Sequence, residues 1–229
     1  MTKLIAWLGG AWFVASLVLT AWWYLVASGQ PRPFAGWTPL AVDTLLVTLF
    51  AGHHSLFARE WVKRALTFIP APLLRSSYVW VASLLLILVL LLWQPIGGTL
   101  YAVTGPSRIV NAVVQALGLI IIARSVSGLD PLELAGIRQV IAARNPEPFQ
   151  ALQISGPYRW VRHPLYLGWI VALFATARMT GDRLAFATLT SLYLVLAIPL
   201  EERSLRQSFG DDYARYAAQV PWRVFPYVY

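Results

Sequence analysis

The chain has 229 residues, of which 58% are hydrophobic and only 12% charged, and its formal net charge is +8. A soluble domain carries about a quarter of its residues charged, so this composition excludes an ordinary soluble protein and points to the membrane. The positive balance does not call for nucleic acid, because the basic residues lie between apolar runs, where orientation and anionic headgroups account for them.

Leu4 to Ala27 is uncharged and ends in Trp22, Trp23 and Tyr24. It is too long and too rich in tryptophan for an ordinary signal peptide, and it reads as a first spanning helix. Pro31, Pro33 and Gly36 turn the chain into a second span over about 37–57, which carries Asp43, His53 and His54. A basic loop over 59–75 leads to a span over 76–94 in which leucine, valine and isoleucine predominate. An uncharged turn then opens a fourth span over about 109–126. Each run approaches or exceeds the roughly 20 residues that cross a bilayer as a helix.

The interval 130–155 is the longest polar stretch and reads as a structured connector. Residues 164–177 are apolar but short, 178–183 turn at Gly181, and 184–200 return, which together predict a helical hairpin. Beyond Glu201 the tail is amphipathic, with Leu205, Phe209, Tyr213, Tyr216 and Val220 three or four residues apart. The fold class is therefore all-α: a polytopic membrane protein of about six transmembrane helices, with a C-terminal hairpin and an amphipathic tail helix. Fourteen of the eighteen lysines and arginines then fall on one side. The positive-inside rule places both termini and the Ser155–Trp169 stretch in the cytoplasm.

That stretch passes from polar to apolar within a few residues. Gly156-Pro157 makes a turn, Arg159, Arg162 and His163 follow, and Pro164 stands where a helix begins, a position that needs no N–H. A helix N-terminus beside cations suits an anionic or carboxylate-bearing ligand. If the hairpin closes tightly, His163 comes near Glu201, and a carboxylate facing a positive helix end suits a zwitterion such as an amino acid. The plainer reading makes Arg159 and Arg162 membrane anchors and pairs Glu201 with Arg203 or Arg206; composition does not decide between the two. There are no cysteines, which excludes disulfides, zinc–thiolate sites and a cysteine nucleophile, and three histidines make a metal site thin; none is assigned.

Gly156-Pro157-Tyr158, the run Arg162-His163-Pro164-Leu165-Tyr166-Leu167-Gly168, Glu201-Glu202-Arg203-Ser204-Leu205, Phe209-Gly210, Tyr213, Tyr216 and Val220-Pro221 stand in order over about the last 80 residues. This series resembles the membrane methyltransferase superfamily that includes isoprenylcysteine carboxyl methyltransferases and phospholipid methyltransferases. The resemblance implies S-adenosylmethionine as cofactor, with Tyr158, His163, Pro164, Leu165, Tyr166 and Glu201 as its contacts. It implies that the segment around Gln150 to Gln153 closes over the cofactor, and that Glu201 holds the amino group of the methionine part. Ala197 stands where prenylcysteine methyltransferases carry a substrate arginine, so a prenylcysteine carboxylate is not the expected acceptor.

The N-terminal half, through His53-His54-Ser55-Leu56-Phe57-Ala58-Arg59, Arg75-Ser76-Ser77-Tyr78-Val79 and Trp93-Gln94-Pro95-Ile96-Gly97, is similar to the bacterial methanethiol S-methyltransferase branch and its NnrU-like relatives. The expected activity is direct S_N2 transfer of a methyl group to a small thiol or lipophilic acceptor. Residues 1–128 form the acceptor side and 129–229 the donor side, in a bacterial inner membrane among lipids. His54 and Arg162 are the candidate catalytic residues. For His54 three readings stay open: helix packing, proton transfer from substrate, and haem ligation. The last corresponds to a second reading of the whole chain, an NnrU-like haem-linked or isomerase protein without methyl transfer.

Overall fold

A computed structural model describes residues 2–57, 59–142 and 152–229. The described elements in order are α1 (Thr2–Trp22), a π-helical turn (Trp23–Ala27), α2 (Thr38–Phe57), α3 (Glu60–Ala65), α4 (Ala71–Leu92), β1 (Thr99–Ala102), α5 (Ser107–Val126), α6 (Pro131–Leu134) and α7 (Ile137–Ile141). A 3-10 turn (Gly156–Arg159), α8 (Pro164–Phe174), β2 (Arg178–Thr180) and α9 (Gly181–Gln219) complete the chain. The all-α class holds. Among the described residues, α1 with its π turn, α2, α4, α5 and α9 are long and apolar enough to span a membrane, and α8 is an apolar helix of 11 residues. At 1.5 Å per residue α8 covers about 16 Å, too little to cross a hydrocarbon core of about 30 Å as helix alone.

The chain divides into two compact units. The first comprises residues 1–98 and 129–147, and its centre is the contact of α1 with α4 and α7. Gly9 of α1 lies under the Trp80 indole, whose Nε1 donates to the Ile5 carbonyl at 3.1 Å, and Gly10 lies against Ile137. Small residues permit such close approach where lipid offers no hydrophobic drive. Ala6, Ala135, Ile137 and Val140 form the buried cluster there. Asp43 is fully buried on α2, and its Oδ1 accepts from the Gln94 backbone N–H at 2.8 Å, just beyond the end of α4. This carboxylate therefore ties two helices together.

The second unit comprises residues 99–128 and 148–229. Its spine is α5 against α8, packed antiparallel. Gly118 meets Gly168, where a Cβ on Gly168 would lie 2.7 Å from the Gly118 carbonyl oxygen. At one end the Tyr158 hydroxyl donates to the Ser125 carbonyl at 3.4 Å, and at the other Asn111 Nδ2 donates to the Thr176 carbonyl at 3.4 Å. Residues 158–176 thus run beside some 14 residues of α5, about 21 Å, although only the middle of that segment is α-helical. Irregular backbone at membrane depth is tolerated where protein covers it. The hairpin bend is braced by a two-stranded antiparallel sheet, β1 with β2, in register Thr99↔Thr180 and Ala102↔Arg178. The expected tail helix begins as an extension of the last span in α9, which contains Pro199, and the helix is broken at Gly210 (φ 50°).

Candidate methyl-donor site

The site is built where α8 begins. Pro164 takes the first helical position, so no N–H is lost, and the Tyr166 and Leu167 amides donate to the His163 carbonyl. The backbone before it is extended and pairs with the tail: Arg162 N–H donates to the Trp222 carbonyl at 2.9 Å and His163 N–H to the Arg223 carbonyl at 2.8 Å. These bonds satisfy amides that precede the helix and fix the entry to α8 against residues 222–223.

Against this entry α9 presents Glu201 and Glu202, with different surroundings. The Glu202 side chain is 5% exposed, and its Oε1 accepts from Arg162 Nε at 2.8 Å. The same arginine, 9% exposed, donates from Nη1 to the carbonyls of Val220 and Pro221, each at 2.9 Å. Arg223 Nε lies 3.4 Å from Glu202 Oε2. Glu201, in contrast, is 44% exposed, and its Oε2 accepts from the Tyr166 hydroxyl at 2.6 Å.

His163 stands between the two carboxylates, with Nδ1 3.5 Å from Glu201 Oε2 and Nε2 3.5 Å from Glu202 Oε1. At those distances the attraction is chiefly coulombic and depends on protonation. Tyr166 stacks on the His163 ring, with centroids 5.2 Å apart.

Sequence reasoning expected Glu201 near His163, and the structure brings them together with Tyr166 and Pro164. Leu165 is half-buried in the first turn of α8. Tyr158 is held by its carbonyl, which accepts from the Tyr216 hydroxyl at 2.8 Å. Gln153 lies against Gly128 and donates to the Ser155 hydroxyl at 3.1 Å, while Gln150 lies outside the described residues. The Arg162 guanidinium is engaged by Glu202 and the chain beyond α9, which makes it a brace in this structure. Tyr213 and Tyr216 of the amphipathic tail are buried with Val220 against Leu205 and Phe209. The part missed from sequence is the contribution of Trp222 and Arg223. Its only signal was the position of that segment directly after Val220-Pro221.

In the first unit, Tyr78 Oη lies 2.6 Å from His54 Nδ1, and Arg75 stacks over the Tyr78 ring at 5.2 Å. His53 packs between Phe57 and Tyr78, with centroid distances of 4.4 Å and 5.6 Å.

Residues 138–207 match the profile of the isoprenylcysteine carboxyl methyltransferase family, which takes in the α8 entry and both glutamates. A methanethiol S-methyltransferase from Crocosphaera subtropica is 38% identical over 188 residues, 80% of this chain and 74% of that protein. The chain belongs to the isoprenylcysteine carboxyl methyltransferase family. A methanethiol S-methyltransferase from Mycobacterium tuberculosis is 35% identical over 191 residues, covering 80% of this chain and 78% of its own. Nurim from Sus scrofa is 30% identical over 200 residues, covering 78% and 76%. No solved structure matches. Membership of this family makes the chain a membrane methyltransferase that draws on a methyl donor, and the described residues assemble the family's matched segment around Glu201 and His163.

Proposed function

We propose that the chain transfers a methyl group from S-adenosylmethionine to a small thiol. The observation that carries the donor is the contrast between the glutamates. Glu202 is consumed in a buried ion-pair network, whereas Glu201 is half-exposed, with Tyr166 and His163 both on Oε2. A carboxylate held in this way is positioned for the ammonium group of an amino acid, and the positive end of α8 and the Tyr158 and Tyr166 rings suit the rest of such a molecule. These residues fit S-adenosylmethionine, which supplies a methyl group already activated on a sulfonium.

The protein's contribution is then alignment and exclusion of water. Glu201 holds the donor's amino group, Tyr158 and Tyr166 fix its orientation, and Leu165 with the apolar start of α8 keeps the surroundings dry. The acceptor sulfur forms the new bond to the methyl carbon as the bond to the sulfonium breaks, and the thiol proton is given up. His54 is assigned as its acceptor through Nε2, in the tautomer whose Nδ1–H donates to the Tyr78 hydroxyl 2.6 Å away, and residues 1–128 are assigned to the acceptor side. The methanethiol S-methyltransferases named above support the thiol, and Ala197 argues against a prenylcysteine carboxylate. The charge asymmetry supports a bacterial inner membrane with termini and donor site cytoplasmic.

The test is calorimetric titration of purified protein with S-adenosylhomocysteine, followed by detection of dimethyl sulfide from methanethiol and S-adenosylmethionine. Binding and product are expected from wild type, with both sharply reduced in Glu201→Gln. Absence of binding, or equal binding by the variant, overturns the donor assignment. Binding without product from methanethiol or any small thiol overturns the acceptor.

A further inference from the structure

Beyond the donor site, the second unit has a groove of about 290 Å³ lined by Pro199, Glu202, Arg203, Arg206 and Arg223. Three arginines line it against one glutamate, and the carboxylate of that glutamate is already met by Arg162 at 2.8 Å. Arg223 is turned partly toward Glu202 and stacks on Tyr229, with its carbon 5.0 Å from that ring. Arg203 and Arg206, one turn apart on α9, are exposed. The groove is therefore net positive and disfavours a donor that carries a sulfonium and an ammonium.

What leads into the groove is apolar. Leu192, Leu196 and Pro199 fall on the same stripe of α9 as Arg203 and Arg206, since their spacings of three and four return to one helix face. Leu192 is 53% and Leu196 66% exposed, on a helix long and apolar enough to span a membrane. An exposed leucine track that ends in arginines matches an acyl chain that ends in a phosphate. Basic pockets beside spanning helices hold anionic headgroups in the same manner, and guanidinium forks match phosphate oxygens.

We propose that this groove binds the headgroup of an anionic phospholipid, with Arg203, Arg206 and Arg223 on its phosphate and an acyl chain along Leu196 and Leu192. The site lies next to the donor site and shares Glu202 with its bracing network, but its occupant is a bilayer lipid rather than donor or acceptor.

The full chain is placed in nanodiscs of phosphatidylcholine mixed with phosphatidylglycerol, and the lipids retained on release are counted by native mass spectrometry. Wild type is expected to retain phosphatidylglycerol in preference. The double variant R203Q/R206Q is expected to lose that preference by about tenfold or more, while R108Q/R178Q, away from the groove, keeps it. Thermal melting and S-adenosylhomocysteine binding of each variant establish that it is folded, and the single variants R203Q and R206Q serve if the double variant is not. Equal retention of both lipids by wild type, or undiminished preference in folded R203Q/R206Q, overturns the proposal. Displacement of the retained lipid by inorganic phosphate as effectively as by short-chain phosphatidylglycerol identifies a general anion site and overturns the lipid assignment.

Discussion

Neighbouring residues on a helix leave its axis about 100° apart, and on α9 that angle directs Glu201 and Glu202 into different surroundings. Glu202 neutralises Arg162, whose side chain is 9% exposed, so its removal leaves a buried guanidinium without a counter-charge. Glu202→Ala is expected to cost about 3–5 kcal/mol, read as loss of thermal and denaturant stability in detergent. Glu201→Gln is expected to leave stability nearly unchanged and to weaken S-adenosylhomocysteine binding about tenfold or more, because a hydrogen bond to a charged group contributes about 1.5–3 kcal/mol. If the two variants exchanged these phenotypes, the division of roles would be wrong.

At the scale of elements, the contact of α5 with α8 sets where the site sits. Gly168 lies five residues after His163 and approaches Gly118 too closely for a side chain, since an added Cβ would stand 2.7 Å from the Gly118 oxygen and 2.9 Å from Ile122 Cγ1. A backbone oxygen cannot swing aside, so Gly168→Ala should force the helices apart and cost about 1–3 kcal/mol. Gly52→Ala on α2, where nothing lies within 4 Å, should be neutral or slightly stabilising. Both are measurable as unfolding midpoints, and equal effects would disprove the close contact. Much of this element was legible in the chain: Pro164 announced the start of α8, and the Glu201 position followed from a closed hairpin. The tail's apolar spacing correctly marked a packed face, with Tyr213 and Tyr216 inside it. Less legible was the length of α8, because hydropathy reports that 164–177 is apolar and not how much of it is helical. The sheet between β1 and β2 was invisible for a related reason, since its pairing is between segments about 80 residues apart and four exposed residues show no alternation. The splitting of the glutamates was hidden too, because it depends on where Trp222 and Arg223 return.

For the whole molecule, the sequence supplies orientation through its arginines and lysines, and the second unit supplies a physical route for the last crossings. Residues 158–176 follow α5 from Ser125 to Asn111, so a segment whose helix is too short still reaches both ends of its neighbour. If α1, α2, α4 and α5 are single crossings, this segment and the apolar part of α9 would make the expected six, which would put both termini on the side that holds fourteen of the eighteen cations. The chain has no native cysteine, so single-cysteine labelling is free of background. On that topology the exposed Arg32 and Leu100 would lie on the side poor in cations, and Phe68 and Tyr227, 77% and 85% exposed, on the rich side. A membrane-impermeant maleimide added to intact spheroplasts should label Arg32→Cys and Leu100→Cys and leave Phe68→Cys and Tyr227→Cys unlabelled, with the pattern reversed in inverted vesicles. Each exchange is at an exposed position, so failure to fold is not the expected confounder. Labelling of Leu100→Cys and Tyr227→Cys from the same side would mean that the chain after β1 crosses an even number of times. That result would remove the cytoplasmic assignment of the donor site along with the six-span topology.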